Sequence, residues 1–390
     1  MLINEVIERS GIIGIFACDM FKDCHCLQPL GEELECNKDV NSDLAEKENK
    51  KVYDWFRKRS LSIFKVMQEV AWKLADWKTE ELKSFILDFK PDVIFAPCYA
   101  SFRMLRLSRF VSELTGKKLI SYISDDSHSM RQFRISPIYW INRIMIRNRL
   151  RRTFPYYALT YTMTEQQKTE CEQMFGANMK VLRKSVEVSR LPEKMKVNLP
   201  IRMIFGGGIY CGRWKILSKV SDAIEKLNSE GYGLHLDIYT GNVLTKKQQK
   251  LLNRDGVVCV HKPVPYDTLK EIYKKQDIAL HVESLDIKNR LLTRLSFSTK
   301  IVDCLASGCA TLAIAWEEHA GLIYLREKNV AFCIDNVQDI YKTLKDIAQH
   351  PEVILDYQKY ALQCCRKHHN KQDNLSMIKN DFENMKQRTL

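Results

Sequence analysis

The chain has 390 residues, with 61 lysines and arginines against 48 aspartates and glutamates, a formal net charge of +13. Its hydrophobic share is 45% and its charged share 28%, which excludes a disordered, collagen-like or small disulfide-scaffold chain. The length allows two domains, each with its own core, and no apolar run of about 18 residues is present to span a membrane as a helix.

In chain order, the N-terminal stretch MLINEVIERSGIIGIF carries acids early and lacks a basic start, so it does not read as a signal peptide. Residues 11–16 form a strand candidate, but Ala17, Cys18 and Asp19 follow it, not the glycine turn that opens a doubly wound domain. Residues 31–60 are charged and show little apolar periodicity. The first strand is therefore expected to be missing or diverged. Cys24, His25, Cys26 and Cys36 form the one cysteine–histidine cluster. Three consecutive side chains do not readily reach one tetrahedral ion, so no metal is expected. The 13 cysteines are odd in number and include no CxxC pair, a usage that suits a reducing compartment.

Residues 80–89 and 103–115 read as helices, and 92–96 (DVIFA) and 118–123 (KLISYI) as buried strands. From Ser127 to Thr164 there is no acid, while Arg131, Arg134, Arg143, Arg147, Arg149, Arg151 and Arg152 all fall there. Within this block Ile141, Ile144, Met145 and Leu150 form a partial apolar stripe with Trp140 at its edge. A basic amphipathic helix of this kind suits an anionic membrane surface. It equally suits a core-packed helix with a solvated arginine face. No RNA- or DNA-binding signature accompanies it, so nucleic acid is not expected. Strands at 157–163 and 179–182 flank a helix at 165–175, and the proline-bounded LPEKMKVNLP at 191–200 reads as an interdomain linker.

The second half is clearer. Strand candidates at 201–205, 234–240, 257–260, 278–282, 311–315 and 330–334 alternate with helices at 214–227, 246–253, 266–275, 298–306 and 337–348. Short strands alternating with helices imply βαβ units and a parallel sheet. The expected fold class is therefore α/β, with two doubly wound domains.

Two segments carry chemistry. The first runs F-S-T-K-I-V-D-C-L-A-S-G over 297–308. Its helix start, with Ser298 and Thr299 able to cap or to bind an oxygen, suits a diphosphate. Lys300 can neutralise phosphate, Asp303 lies one turn on to accept sugar or ribose hydroxyls, and Gly308 ends the helix. The second is G-G-G-I-Y-C-G-R over 206–213. There Gly207 and Gly208 let the backbone approach a ligand, and Arg213 adds a bidentate anion donor. An ordinary capped helix with a surface lysine accounts for the first segment equally well, and a lone glycine loop is weak evidence. Together they are stronger, because both can face one edge of a parallel sheet.

The stretch F-S-T-K-I-V-D-C-L-A-S-G-C-A-T-L-A-I with E-H-A-G-L-I after it, and the G-G-G-I-Y-C-G-R loop, resemble the nucleotide-sugar site of retaining family-four glycosyltransferases of the GT-B fold. F-K-P-D-V-I-F-A-P and G-K-K-L-I-S-Y-I-S-D-D are similar to strands of their N-terminal domain. The resemblance covers residues 85–390. It implies two Rossmann-like domains across a cleft: 1–190 on the acceptor side, a 191–200 linker, 201–370 on the donor side, and a final helix at 371–390 returning towards the first domain. It implies Arg213 and Lys300 on the donor diphosphate and Asp303 as the second acid of an E-x7-E signature. The first acid falls at position 295, which is Leu295. Asp125, Asp126 and His128 fall on the acceptor side as a base or orienting group, although Asp126 could equally serve as a cap. Glu283 ends a strand and could replace the missing acid, and His261 and Lys262 fall where the nucleobase or sugar would lie.

The implied activity is sugar transfer from a UDP- or GDP-sugar to a glycan or lipid-linked glycan, in surface polysaccharide synthesis. No cofactor is implied, and the location would be cytoplasmic or peripheral to the membrane. A nucleotide-sugar epimerase and a non-catalytic sugar-nucleotide or glycan binder remain the alternatives.

Overall fold

The structure, a computed structural model, describes residues 76–387. The 11–16 strand candidate and the Cys24–His25–Cys26–Cys36 cluster lie outside the described residues. Two parallel sheets organise the rest, each followed along the chain by helices that cover its faces.

The first sheet has the order β1-β2-β3-β4: Ile94–Phe95, Leu119–Ile123, Tyr157–Thr162 and Met179–Val181. Helices α1 (Glu80–Asp88), α2 (Phe102–Thr115), α3 (Pro137–Thr153) and α4 (Glu165–Phe175) alternate with these strands. Thr79 caps α1 by accepting from Leu82 N, and Thr164 caps α4 by accepting from Gln167 N. Gly116 and Gly176 close α2 and α4 in left-handed conformation, the common C-terminal stop.

The stripe expected on α3 is inverted. Its buried residues are Arg143, Ile146, Leu150 and Thr153. Ile138, Ile141, Ile144 and Met145 are 47–59% exposed. Leu150 thus belongs to the core, whereas the other three residues of that stripe face outward. On the buried face Arg143 reaches inward to pair with Asp126 at 2.8 Å and to donate to Ser129 O.

The second sheet has the order β10-β9-β8-β5-β6-β7. Its strands are β5 (Ile201–Gly206), β6 (Leu234–Tyr239), β7 (Val258–His261), β8 (Ile278–Val282), β9 (Ala310–Ile314) and β10 (Phe332–Ile334). Every residue of β8 and β9 is buried, as expected of strands covered on both faces. The connecting helices are α5 (Arg213–Ser229), α6 (Lys246–Leu252), α7 (Tyr266–Tyr273), α8 (Ile287–Thr293), α9 (Thr299–Leu305), α10 (Ala320–Glu327) and α11 (Asp339–Gln349). The strand order is that of a dinucleotide-binding fold. Its topological switch point lies between β5 and β8, where Met203 pairs with Ile278, and crevices at such points hold ligands.

Segment 191–200 is tied to this sheet through buried Asp277. Its carboxylate accepts from Lys194 Nζ at 2.7 Å, Asn198 Nδ2 at 2.9 Å and Arg202 N at 2.8 Å. Helix α12 (Val353–His368) packs on β9. Helix α13 (Lys371–Gln387) crosses to the first sheet, where Ile378 and Phe382 join Val93, Phe95, Ile120 and Tyr161 in one core. Tyr161 Oη donates to Asp381 at 2.8 Å within that contact.

Candidate active site

The switch point is where the glycine loop begins. Gly207 takes φ +151°, and a Cβ there would lie 1.8 Å from Lys300 Nζ. Only glycine lets the lysine lie across the loop backbone. Gly212 takes φ +80° as the cap of α5, and a Cβ there would meet Ser284 Oγ at 2.6 Å and Asp286 Oδ2 at 2.8 Å. The loop is anchored from the next strand by Gly207 N donating to Tyr239 O and Ile209 N to Asn242 Oδ1, both at 2.8 Å.

Arg213 opens α5 and forms a two-pronged pair with Glu283, which follows β8: Nε to Oε2 at 3.0 Å and Nη2 to Oε1 at 2.8 Å. Its guanidinium lies 4.8 Å from the Tyr210 ring centroid. Burial works against the charge of Arg213, but Glu283 outweighs it and raises the affinity for the proton. Burial likewise opposes ionisation of Glu283, yet the bonded Arg213 guanidinium helps bring its carboxyl below the usual range. Lys300 is pushed the other way, lowered by burial and then by the nearby Arg213 charge. No acid among the described residues forms an ion pair with Lys300. The site therefore sets two cations against one committed carboxylate, a composition suited to an anion.

The other sequence candidates separate. Ser298 caps α9, its Oγ accepting from Lys300 N at 3.4 Å, and Thr299 is exposed at the helix start. The helix ends at Leu305 with Ala306 as its cap, ahead of Gly308. Asp303 is engaged outside the glycine loop: Lys184 Nζ and Tyr266 Oη, at 2.5 and 2.9 Å, both reach its Oδ1. Burial, then the Asp303 charge, raises Tyr266 to about 12. His261 ends β7, bonded to Asp237 at 2.6 Å and stacked on Tyr239 with centroids 4.5 Å apart, a flat platform next to the loop anchor. Lys262 beside it is exposed.

On the acceptor side the three candidates part company. Asp125 is exposed after β2. The Asp126 carboxylate is only 2% exposed and fully engaged, by Arg143, Ser129 and Gln132. His128 is wholly buried between Asp126, Glu170 and Cys171, with the Phe175 ring edge-on at 5.9 Å. Asp126 and His128 thus hold the 126–132 loop in place, each engaged by partners within the protein. Leu295 is buried, its carbonyl accepting from Thr164 Oγ1.

Sequence reasoning passed over four groups. Arg294 pairs with Glu170 of α4 at 2.5 and 2.9 Å and so joins the two halves beside the site. Lys184 brings a first-half cation to Asp303. His281 and His319 lie buried next to Glu283. His281 was detectable, since it stands two residues before Glu283 and so shares its face of the strand. The two partners Glu170 and Lys184 carried no local signal.

Two parallel-sheet domains, the second in dinucleotide-binding order with its anion-suited loop at the switch point, define the GT-B fold. Residues 219–379 match a family described as glycosyl transferase-like. A search of curated proteins finds no match to this chain. Among solved structures, the chain is similar to TarM of S. aureus, at TM-score 0.58 and 10% identity, covering 77% of this chain and 57% of that one. It is similar to sucrose-phosphate synthase from Thermosynechococcus elongatus at TM-score 0.58 and 10% identity, covering 78% and 76%. It is also similar to Anabaena HepE in complex with UDP and glucose, at TM-score 0.54 and 14% identity, covering 78% and 81%. This chain therefore spans under two thirds of TarM's length. At these identities the likeness is one of fold.

Proposed function

We propose that the protein transfers a sugar, with retention, from a nucleotide-sugar donor to a glycan or lipid-linked glycan acceptor in surface polysaccharide synthesis. The observation that carries this reading is the convergence of Lys300 and Arg213 on the Gly207–Gly208 loop at the β5/β8 switch point. The matched family over 219–379 supports it, as does the UDP and glucose held by the similar HepE. On this reading 201–370 is the donor domain and 1–190 the acceptor domain, with 371–390 clamping them. Ser298 and Thr299 would lie at the phosphates, and the His261–Tyr239 stack with Lys262 at the base. Asp303 would sit at the ribose edge, bridged by Lys184. Glu283 would orient Arg213, and Asp125 alone of the acceptor-side trio would face the cleft. Charge developing on the departing diphosphate would be stabilised by the two cations, with no metal required of them.

The test is transfer and donor hydrolysis over a panel of UDP-, GDP- and ADP-sugars. Lys300→Ala should lower turnover on the order of 10²–10³-fold with an unchanged melting temperature. Arg213→Ala is a poorer probe, because it strands Glu283 at a cost of about 3–5 kcal/mol; Arg213→Lys keeps a cation there and should still reduce turnover. Normal turnover in both Lys300→Ala and Arg213→Lys would remove this site assignment.

The exposed apolar and arginine surface of α3 supports a second element of the proposal, attachment at an anionic membrane face that presents the acceptor. No helix among the described residues is long and apolar enough to cross a membrane, so attachment there would be at the surface.

A further inference from the structure

Three buried nitrogens around Glu283 have no hydrogen-bond partner among the described residues: Nη1 of Arg213, Nε2 of His281 and Nε2 of His319. We infer that these nitrogens form a donor-lined floor that receives an oxygen of the bound sugar, or of the phosphate carrying it, beside the leucine at position 295. This rests on the nucleotide-sugar reading above and assigns the part of the donor that the floor would hold.

Burial makes the arrangement costly without a ligand. His281 is 3% exposed and His319 1%. An unpartnered buried donor or acceptor costs about 1–3 kcal/mol. Here three fall on residues that surround one carboxylate. His281 and Glu283 alternate on the same strand face, the two imidazole centroids lie 6.2 Å apart, and Arg213 is bonded directly to Glu283.

Two of the three nitrogens are donors. His319 caps α10, its Nδ1 accepting from Gly321 N at 3.1 Å. In the neutral ring the proton therefore sits on Nε2, the orphaned atom. Burial, the largest influence, keeps both imidazoles neutral, with His281 lowered to about 3. Nη1 of Arg213 donates by its nature. Lys300 and Arg213 make the surroundings cationic, which disfavours a metal ion, and no cluster of metal-ligating residues occurs among the described residues. An oxygen acceptor is what remains. The floor lies close to position 295, since Ala320 N, next to His319, bonds Arg294 O at 2.8 Å, directly before Leu295.

The test compares affinities for nucleotide sugars (UDP-, GDP- and ADP-linked) with those for the matching free diphosphates. The variants are His319→Asn, which keeps a capping oxygen but loses the Nε2 donor, and His281→Phe, which removes both ring nitrogens at similar volume. Melting temperatures check that each stays folded; His281→Phe leaves no polar atom behind, whereas His319→Asn leaves a buried amide Nδ2. Each should weaken nucleotide-sugar binding about tenfold. A loss confined to the nucleotide sugar assigns the floor to the sugar, and an equal loss for the free diphosphate assigns it to the phosphate. Wild-type affinity in both folded variants overturns the inference and leaves the donor site standing. If the wild-type protein binds none of these ligands, the inference and the nucleotide-sugar reading fall together.

Discussion

Residue by residue, the acids Glu283 and Glu170 are held rather than free. Glu283 commits both oxygens to Arg213, and Glu170 commits both of its oxygens to Arg294. Burial opposes ionisation of Glu170, but His128 and the Arg294 guanidinium bring its pKa from the ordinary 4.5 down to about 2. A depressed acid contributes stability that is complete above its unfolded pKa and is lost as pH falls through the folded one. Stability should therefore decline between about pH 4.5 and pH 2 through this pair, and Glu170→Gln should flatten that limb of an acid-denaturation curve. An unchanged limb would mean that the pair is too well solvated to matter. Such commitments are invisible in sequence, because Arg294 and Glu170 are 124 positions apart.

Among the elements, α3 departs furthest from its sequence pattern. Its buried face carries Arg143 beside Ile146 and Leu150, and its outer face carries isoleucines and a methionine among arginines. A soluble helix ordinarily does the reverse. Exposed Ile138, Ile141 and Met145, with Ile135 at 89% exposure just before the helix, lie in a stretch without acids. Sedimentation with anionic vesicles should show salt-sensitive binding. Neutralising Arg147, Arg149, Arg151 and Arg152 together should weaken it, and Ile138→Ser with Ile141→Ser should weaken it independently of salt. Equal binding by both variants would exclude this face.

At the scale of the whole molecule, the halves are joined around the site and again at the far end of the chain. Arg131–Glu318, Glu170–Arg294 and Lys184–Asp303 cross between them. Helix α13 crosses back to bury Phe382 completely in the first sheet's core. Phe382→Ala should destabilise the first domain by about 3–5 kcal/mol, read as a separate early transition in calorimetry, although the residue follows the second domain in sequence. A single unshifted transition would show that α13 adds nothing to that core.

The sequence by itself determined the alternation of strands and helices from residue 80 onwards, the parallel sheets, and the two phosphate-suited segments. Those features are local: apolar runs of strand length, helical spacing, and glycines whose backbone freedom no other residue supplies. It also marked Arg213 and Lys300, because loop and helix-start chemistry can be read from neighbouring positions. Tertiary structure decided which candidates meet. It placed Glu283 on Arg213, turned Asp126 and His128 into buried supports of a loop, drew Asp303 to Lys184, and left His281 and His319 with unpaired nitrogens at the switch point. Burial and pairing depend on residues brought together from distant parts of the chain, and no local pattern encodes the free energy of those meetings.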